Sequence, residues 1–130
     1  MRQLISSGTI WEKLAGYSRA VRVGPFVSVS GTTATNDDGE LVGPNDAYAQ
    51  TIFIIEKIER ALKEAGASLD DVTRTRIYLK NVEDWEAVSH AHAVFFSERR
   101  PANTLIAVGG IIGDGYLVEI EADAIIESAL

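Results

Sequence analysis

The carboxylates near the C-terminus are the residues whose types and spacing best suit chemistry. Glu119, Glu121 and Asp123 stand at every second position, so all three lie on one face of a predicted strand. A carboxylate held on a strand can orient a water molecule or take a proton from it, as hydrolysis requires. The same spacing also fits a solvated stripe, or one that pairs with Arg74 and Arg76 across the sheet. The spacing alone leaves both interpretations open.

Few other residues can supply a nucleophile or a metal site. The chain has no cysteine, which excludes disulfides, thiolate catalysis and zinc–thiolate centres. His90 and His92 lie two positions apart on a predicted helix, where their side chains diverge. His92 falls on the apolar side of that helix and is interpreted as a core residue. We therefore expect neither a metal nor another cofactor.

Composition predicts one soluble domain spanning 1–130. The chain has 130 residues, of which 46% are hydrophobic and 24% charged, as in ordinary globular proteins. No segment has the length of a membrane span or the pattern of a signal peptide, so we expect a cytoplasmic protein without a membrane partner. The formal charge of −7 repels phosphate backbones, and we expect no nucleic acid partner.

The N-terminal half is predicted to form a hairpin and then a helix. Apolar and polar residues alternate over 18–31 around the turn residues Gly24-Pro25. Asp46 supplies a start for a helix over 47–65, which Gly66 ends. The predicted buried stripe comprises Ala47, Thr51, Ile52, Ile55, Ile58, Leu62 and Ala65. The charged residues assigned to the solvent side are Glu56, Lys57, Glu59, Arg60 and Lys63.

The C-terminal half is predicted to contain a strand over 72–80, a helix over 82–98 and a final hairpin of strands 103–108 and 116–126. A short extra strand near 3–5 is a further option. In strand 72–80 one face carries Thr73, Thr75, Ile77 and Leu79, and the other carries Arg74, Arg76, Tyr78 and Lys80. The predicted buried stripe of the second helix comprises Trp85, Val88, His92, Phe95 and Phe96.

These elements give the order β-β-α-β-α-β-β, which predicts an α+β fold with both helices on one face of a sheet. The other face carries apolar side chains in either register. Burying that face against identical subunits is the simplest way to remove it from water.

The segments 99–108 and 117–124 resemble the C-terminal signature of the RidA/YjgF family of reactive intermediate deaminases. The resemblance extends from Gly16-Tyr17 to Ala124. It implies a homotrimer whose sheets form a central β-barrel, with small-molecule clefts at the subunit boundaries. It also implies hydrolysis of the enamines and imines that amino-acid enzymes release.

The same resemblance implies roles for individual residues. Glu119 would be the catalytic group that orients or deprotonates the attacking water. Tyr17 would border the substrate cleft, although it could instead only cover the barrel mouth. Ser30 and Gly31 would let the substrate approach the backbone, or they form a strand-ending turn. Ser89, on the second helix, stands where many relatives have asparagine and is also assigned to substrate binding.

Asn103 stands where the resemblance implies an arginine that grips the substrate carboxylate. Asn103 and the following Thr104 are still assigned to substrate binding. A hydrogen bond to a charged group is worth about 1.5–3 kcal/mol, against about 0.5–1.5 for a neutral one, so the exchange weakens the grip. Arg99 or Arg100 could substitute from the adjacent loop, or both are solvated.

The sequence leaves two functions open. The first is a hydrolytic deaminase of enamine or imine intermediates with an unassigned substrate. The second is a trimeric protein that binds a small metabolite in the same cleft without turning it over, which the asparagine favours. A chaperone-like role has no support from particular residues.

Overall fold

The computed structural model describes residues 2–130 and contains one six-stranded sheet in the order β1-β2-β3-β6-β4-β5. The strands are β1 (Arg2–Ile5), β2 (Ala20–Val23), β3 (Phe26–Thr32), β4 (Val72–Leu79), β5 (Ala102–Ala107) and β6 (Val118–Ile125). The helices are α1 (Ile10–Ala15), α2 (Ala47–Glu64) and α3 (Trp85–Phe96), and short 3-10 turns occupy Leu69–Asp71, Val82–Asp84 and Glu127–Ala129. α2 and α3 pack together on one face of the sheet, which confirms the predicted α+β class.

The strands of the predicted final hairpin are both present, but they do not pair with each other. β5 pairs with β4 in parallel, and β6 lies between β3 and β4 in antiparallel pairing. Parallel neighbours need a crossover, and α3 supplies it between β4 and β5. The loop that follows crosses the end of β4, where the Val108 N–H donates to the Leu79 carbonyl and the Lys80 N–H donates to that of Leu117.

Alternation along β4 and β6 builds the core as predicted. Thr75, Ile77 and Leu79 are buried beneath the helices, as are the alternate residues of β6. Thr73 was expected on this buried face but is exposed, because the pairing register with β6 shifts between Val72 and Arg74.

α2 begins and ends close to the predicted positions. The Asp46 carboxylate caps its first turn by accepting from the Ala49 N–H at 2.9 Å. The prediction that Lys57 faces solvent was wrong, since this residue is buried. Lys57 lies three residues after Ile54 and four before Ala61, and both belong to the buried side of the helix.

α3 buries Val88, Ala91 and Phe96, but Trp85 is 52% exposed, against the prediction. Trp85 is the first residue of this helix and follows a 3-10 turn, so it lies outside the packed region. His92 is half-buried, and its Nε2 lies 2.9 Å from the Thr75 hydroxyl, as expected for a core histidine with a polar partner.

Two short N-terminal elements complete the described chain. β1 is the optional strand near 3–5, and it pairs with β2. α1 was not predicted, and its apolar residues Ile10 and Leu14 are about three-quarters exposed (74% and 75%). The helix ends at Gly16 with φ 76°, a left-handed conformation that favours glycine. Over residues 2–130, no helix combines the length and the apolar character needed to cross a lipid bilayer.

Candidate active site

A cleft of about 220 Å³ lies where α1, the end of β3 and the start of β6 meet. α1 contributes Trp11 and Leu14 to the wall of the cleft, and Tyr17, Gly31 and Glu119 are among its other lining residues. Pockets for drug-sized ligands are typically about 300–1,000 Å³, so this volume suits a small metabolite.

A bulge in β3 brings Gly31 against Glu119. Val29 pairs with Ala122 and Thr32 with Ile120, so β3 has one more residue than β6 over this stretch. A Cβ atom on Gly31 would overlap the Oε2 atom of Glu119. Gly31 does not have a positive φ. A larger residue here would therefore displace the Glu119 carboxylate, whereas the backbone conformation itself does not demand glycine.

Burial raises the pKa of the Glu119 carboxyl above its ordinary value. The positive charge of Arg19 opposes this rise, and the negative charge of Glu121 adds to it. A carboxylate whose pKa moves toward neutrality is a better proton acceptor and, once protonated, still an effective donor. The environment of Glu119 thus suits acid–base chemistry on a bound molecule.

Arg19 lies at the inner end of the cleft and is only 4% exposed. Its Nη1 donates to the Gly31 carbonyl at 2.6 Å and to the Thr32 hydroxyl at 3.0 Å. Its guanidinium carbon lies 5.6 Å from the centre of the Tyr17 ring, within the range of a cation–π contact. Arg19 therefore fixes the bulge and the aromatic wall together.

Lys57 reaches the same cleft from α2. Its Nζ donates to the Thr35 carbonyl at 2.9 Å. Burial and the charges of Arg19 and Arg60 lower its pKa to about 8, and Asp37 and Glu12 partly oppose this shift.

Glu12 is the buried carboxylate that accompanies these cations. Its Oε2 lies 3.7 Å from the Arg19 Nε. Burial acts to raise the pKa of Glu12, but hydrogen bonds from Ser7, Ser6 and Thr9 bring it below the ordinary value. Glu12 therefore stays ionised, and the hydrogen bonds that it accepts fix the segment that leads into α1.

The residues predicted for substrate binding separate into two groups. Tyr17 and Gly31 line the cleft with Glu119, and Ser30 adjoins it in the bulge, where its hydroxyl donates to the Ser18 carbonyl at 2.7 Å. Ser89 on α3, Asn103 and Thr104 are not part of this cleft within one chain. These three are positioned by β5 and α3 instead.

Asn103 makes contacts within its own subunit. Its Nδ2 donates to the Thr75 hydroxyl at 3.0 Å, and that hydroxyl also contacts His92. Arg99 pairs with Asp70 at 2.6 Å, and Arg100 lies beside His92 and Pro101 at the end of α3. Within one chain, neither arginine reaches the Glu119 cleft.

Of the three alternating carboxylates on β6, Glu121 and Asp123 form ion pairs, as one of the two interpretations of their spacing predicted. Arg76 lies 3.1 Å from Asp123 and 3.7 Å from Glu121. Tyr78 also donates to Glu121 at 2.7 Å. Glu119 differs because it packs against Gly31 at the cleft.

The sequence predictions missed the cations at the inner end, Arg19 and Lys57. One usable signal was the position of Lys57, a charged residue three and four positions from apolar residues on the same helix. Arg19 carried no comparable signal. Within residues 2–130, no group of three histidine, aspartate or glutamate side chains is arranged to hold a metal ion.

Comparison with known proteins agrees with this geometry. The family described as Endoribonuclease L-PSP matches residues 9–126. The structure of Rv2704 from Mycobacterium tuberculosis, described as a member of the YjgF/YER057c/UK114 family, superposes with a TM-score of 0.88. It is 44% identical and covers 97% of this chain and 100% of its own. This chain belongs to the RidA/YjgF family.

Two further proteins have related sequences. An uncharacterized protein of Streptomyces coelicolor is 39% identical over 120 residues, which is 92% of this chain and 89% of that protein. A protein of Acinetobacter baylyi named 3-aminoacrylate deaminase RutC is 37% identical over 111 residues, which is 85% of this chain and 87% of that protein.

Proposed function

We propose that this protein is a hydrolytic deaminase of small enamine or imine intermediates from amino-acid metabolism. The observation that carries the proposal is the Glu119 carboxylate, held against Gly31 in a small cleft where burial raises its pKa. The relationship to the RutC of Acinetobacter baylyi supports it, since 3-aminoacrylate is an enamine.

The reaction adds water across a C=N bond and then breaks the C–N bond. An enamine first gains a proton on carbon and loses one from nitrogen, which gives the imine tautomer. Glu119 accepts a proton from the attacking water and returns it to the imine nitrogen, which gives a carbinolamine. The same carboxylate then moves the carbinolamine hydroxyl proton to the nitrogen, so that the C–N bond breaks, ammonia leaves and a carbonyl remains. No covalent nucleophile is needed, because the imine carbon is already electrophilic.

The rest of the cleft positions the reacting molecule. The Glu119 carboxylate occupies the space beside Gly31 where a side chain would lie, and both residues line the cleft, so a planar substrate held there lies next to the carboxylate. Tyr17 supplies an aromatic face for such a molecule. Holding substrate and water in this geometry lowers the entropic part of the barrier.

Ammonia release from freshly generated 2-iminopropionate tests the proposal. We expect Glu119→Gln to lower the rate about 10²–10⁴-fold, because the amide cannot accept the proton. Asp123→Asn is the matched control, since Asp123 is on the same strand and pairs with Arg76 outside the cleft. A Glu119→Gln variant with the full wild-type rate would remove Glu119 from the mechanism.

A protein that binds a metabolite without turnover is the second candidate. The observation that favours it is Asn103, which lacks the charge of the family arginine and whose amide contacts Thr75. It predicts binding of a small acid such as pyruvate with no ammonia release above the buffer rate.

We also propose that the protein is a homotrimer with small-molecule clefts at the subunit boundaries. The open face of the sheet carries exposed apolar side chains, including Leu4, Phe26 and Ile106. β5 is one of the two edge strands and is exposed over most of its length. Association with identical subunits would cover both features, and could bring Asn103 and Thr104 of one subunit toward the cleft of another.

A further inference from the structure

We infer that Arg19 and Lys57 form the anion-binding end of the Glu119 cleft and hold the substrate carboxylate there. The inference rests on the proposed function, because it names the groups that bind the substrate of that site. Asn103 supplies no positive charge on β5. The inference assigns this charge instead to Arg19, just before β2, and to Lys57 on α2.

Arg19 has hydrogen-bonding capacity left after its contacts with the protein. A guanidinium group has five N–H donors. Nη1 is occupied by the Gly31 carbonyl and the Thr32 hydroxyl, while Nη2 makes a long contact of 3.4 Å with the Tyr17 hydroxyl. Among residues 2–130, Nε has no hydrogen-bond acceptor. The Nη2 donors lie toward Tyr17, which lines the cleft.

Lys57 provides a second positive group at the same place. An ammonium group has three donors, and the Thr35 carbonyl accepts one of them. Both Lys57 and Thr35 line the cleft with Arg19, Gly31 and Glu119. A carboxylate bound between Arg19 and Lys57 would therefore meet donors from two different elements of the cleft that Glu119 also lines.

The carboxylates near Arg19 and Lys57 do not fully neutralise these two cations. Of the carboxylates near these two buried cations, Glu12 is buried and its oxygens already accept from Ser6, Ser7 and Thr9. The half-buried Glu119 lines the same cleft. Arg60 adds positive charge near Lys57, and the partner of Arg60, Asp37, is exposed to solvent. Burial is the main cause of the lowered pKa of Lys57, and repulsion from Arg19 and Arg60 adds to it. A bound carboxylate would relieve this repulsion, since opposite charges stabilise each other strongly where water is excluded.

Binding of pyruvate and of pyruvamide to the folded protein tests the inference. The two molecules have nearly the same shape, but only pyruvate carries a negative charge. At pH 7 we expect pyruvate to bind about tenfold or more tightly than pyruvamide, measured by calorimetry or by NMR titration. Equal affinities, or no binding of pyruvate, would overturn the inference.

A lysine pair on one helix supplies the matched variants. We expect Lys57→Met to weaken pyruvate binding about tenfold and to leave pyruvamide binding unchanged. Lys63→Met removes an exposed lysine that pairs with Glu59, and we expect it to bind both molecules as the wild type does. Wild-type affinity for pyruvate in Lys57→Met would overturn the role of Lys57.

The wild-type protein gives a readout that does not depend on a variant. Pyruvate affinity should fall as the pH rises through about 8, where Lys57 loses its charge beside Arg19, Arg60, Asp37 and Glu12. Pyruvamide affinity should not follow that profile, and parallel profiles would contradict the inference. Failure of the proposed function looks different, because ammonia release would be absent while the preference for pyruvate persisted.

Discussion

The contact between Gly31 and Glu119 is the most restrictive feature of the cleft at the residue scale. It depends on the bulge in β3 and on the absence of a side chain at Gly31, whose place the Glu119 carboxylate occupies. The backbone of Gly31 has no positive φ, so an alanine is disfavoured by the Glu119 contact alone. The two residues are therefore expected to be energetically coupled.

The first prediction concerns Gly31→Ala. We expect a loss of about 1–3 kcal/mol in the free energy of unfolding, because the new methyl group displaces the Glu119 carboxylate. Denaturant unfolding of Gly31→Ala, Glu119→Ala and the double variant measures the coupling. In the Glu119→Ala background most of the loss should disappear. If the stability losses of the two single variants simply add in the double variant, residues 31 and 119 are not energetically coupled.

The second prediction concerns the stability cost of Lys57. Its pKa of about 8 in the folded protein lies below the ordinary 10.5, so folding disfavours the protonated form. The cost, on the order of 3 kcal/mol, is complete below about pH 8 and disappears as the pH rises toward the unfolded pKa. Lys57→Met should therefore be more stable than the wild type at pH 7, by about 1–3 kcal/mol.

Urea unfolding of both proteins at pH 7 and at about pH 10 measures this difference. The advantage of the methionine variant should shrink at the higher pH, where the wild-type lysine is largely neutral. A lysine with a purely structural role would give the opposite result, a destabilised variant at pH 7.

At the scale of elements, Gln50 connects α2 to the start of β6. Its side chain is fully buried, donates to the Gly43 and Gly115 carbonyls and accepts from the Leu117 N–H at 2.9 Å. These bonds fix the backbone two residues before Glu119. The helix therefore positions the start of β6, which carries Glu119, through one polar side chain.

The third prediction follows from that connection. Gln50→Leu leaves buried backbone groups without partners, and we expect it to lower the free energy of unfolding by about 2–4 kcal/mol and to lower ammonia release. Gln3→Leu is the matched control, because Gln3 also bonds to α2, at the Glu64 carbonyl, but in an exposed position. A control that loses as much stability as Gln50→Leu would contradict this account.

Local patterns predicted the elements better than their pairing. The periodicity of apolar residues located α2, β4 and β6, because burial on one face imposes that period directly. The position of β6 between β3 and β4 depends on contacts between distant segments, which no local pattern contains. α1 was missed because its apolar residues stay exposed and give no buried stripe.

The residues of the candidate site were likewise predicted only in part. The resemblance located Glu119, Gly31 and Tyr17, which the fold brings together. It could not indicate Arg19 or Lys57. A charged side chain becomes a cleft residue only through the tertiary packing that buries it.

For the whole molecule, the open face of the sheet is the largest feature that one chain leaves unexplained. Its exposed apolar residues and the β5 edge lie on a sheet whose other face is covered by α2 and α3. Such a surface favours association of identical chains.

The fourth prediction is the mass of that assembly. Sedimentation or light scattering should give three times the 14.1 kDa chain mass. A monomer mass would contradict the trimer and the placement of clefts at subunit boundaries. It would leave the Glu119 cleft, which one chain forms alone, as the only candidate site.

The most direct test of the central claim is ammonia release from freshly generated 2-iminopropionate by the wild-type protein, with Asn103→Arg assayed beside it. We predict that the wild type exceeds the buffer rate by about tenfold or more without an arginine at position 103, because Arg19 and Lys57 hold the carboxylate near Glu119. A wild type at the buffer rate, with activity gained only in Asn103→Arg, would contradict the account and place the anchor on β5.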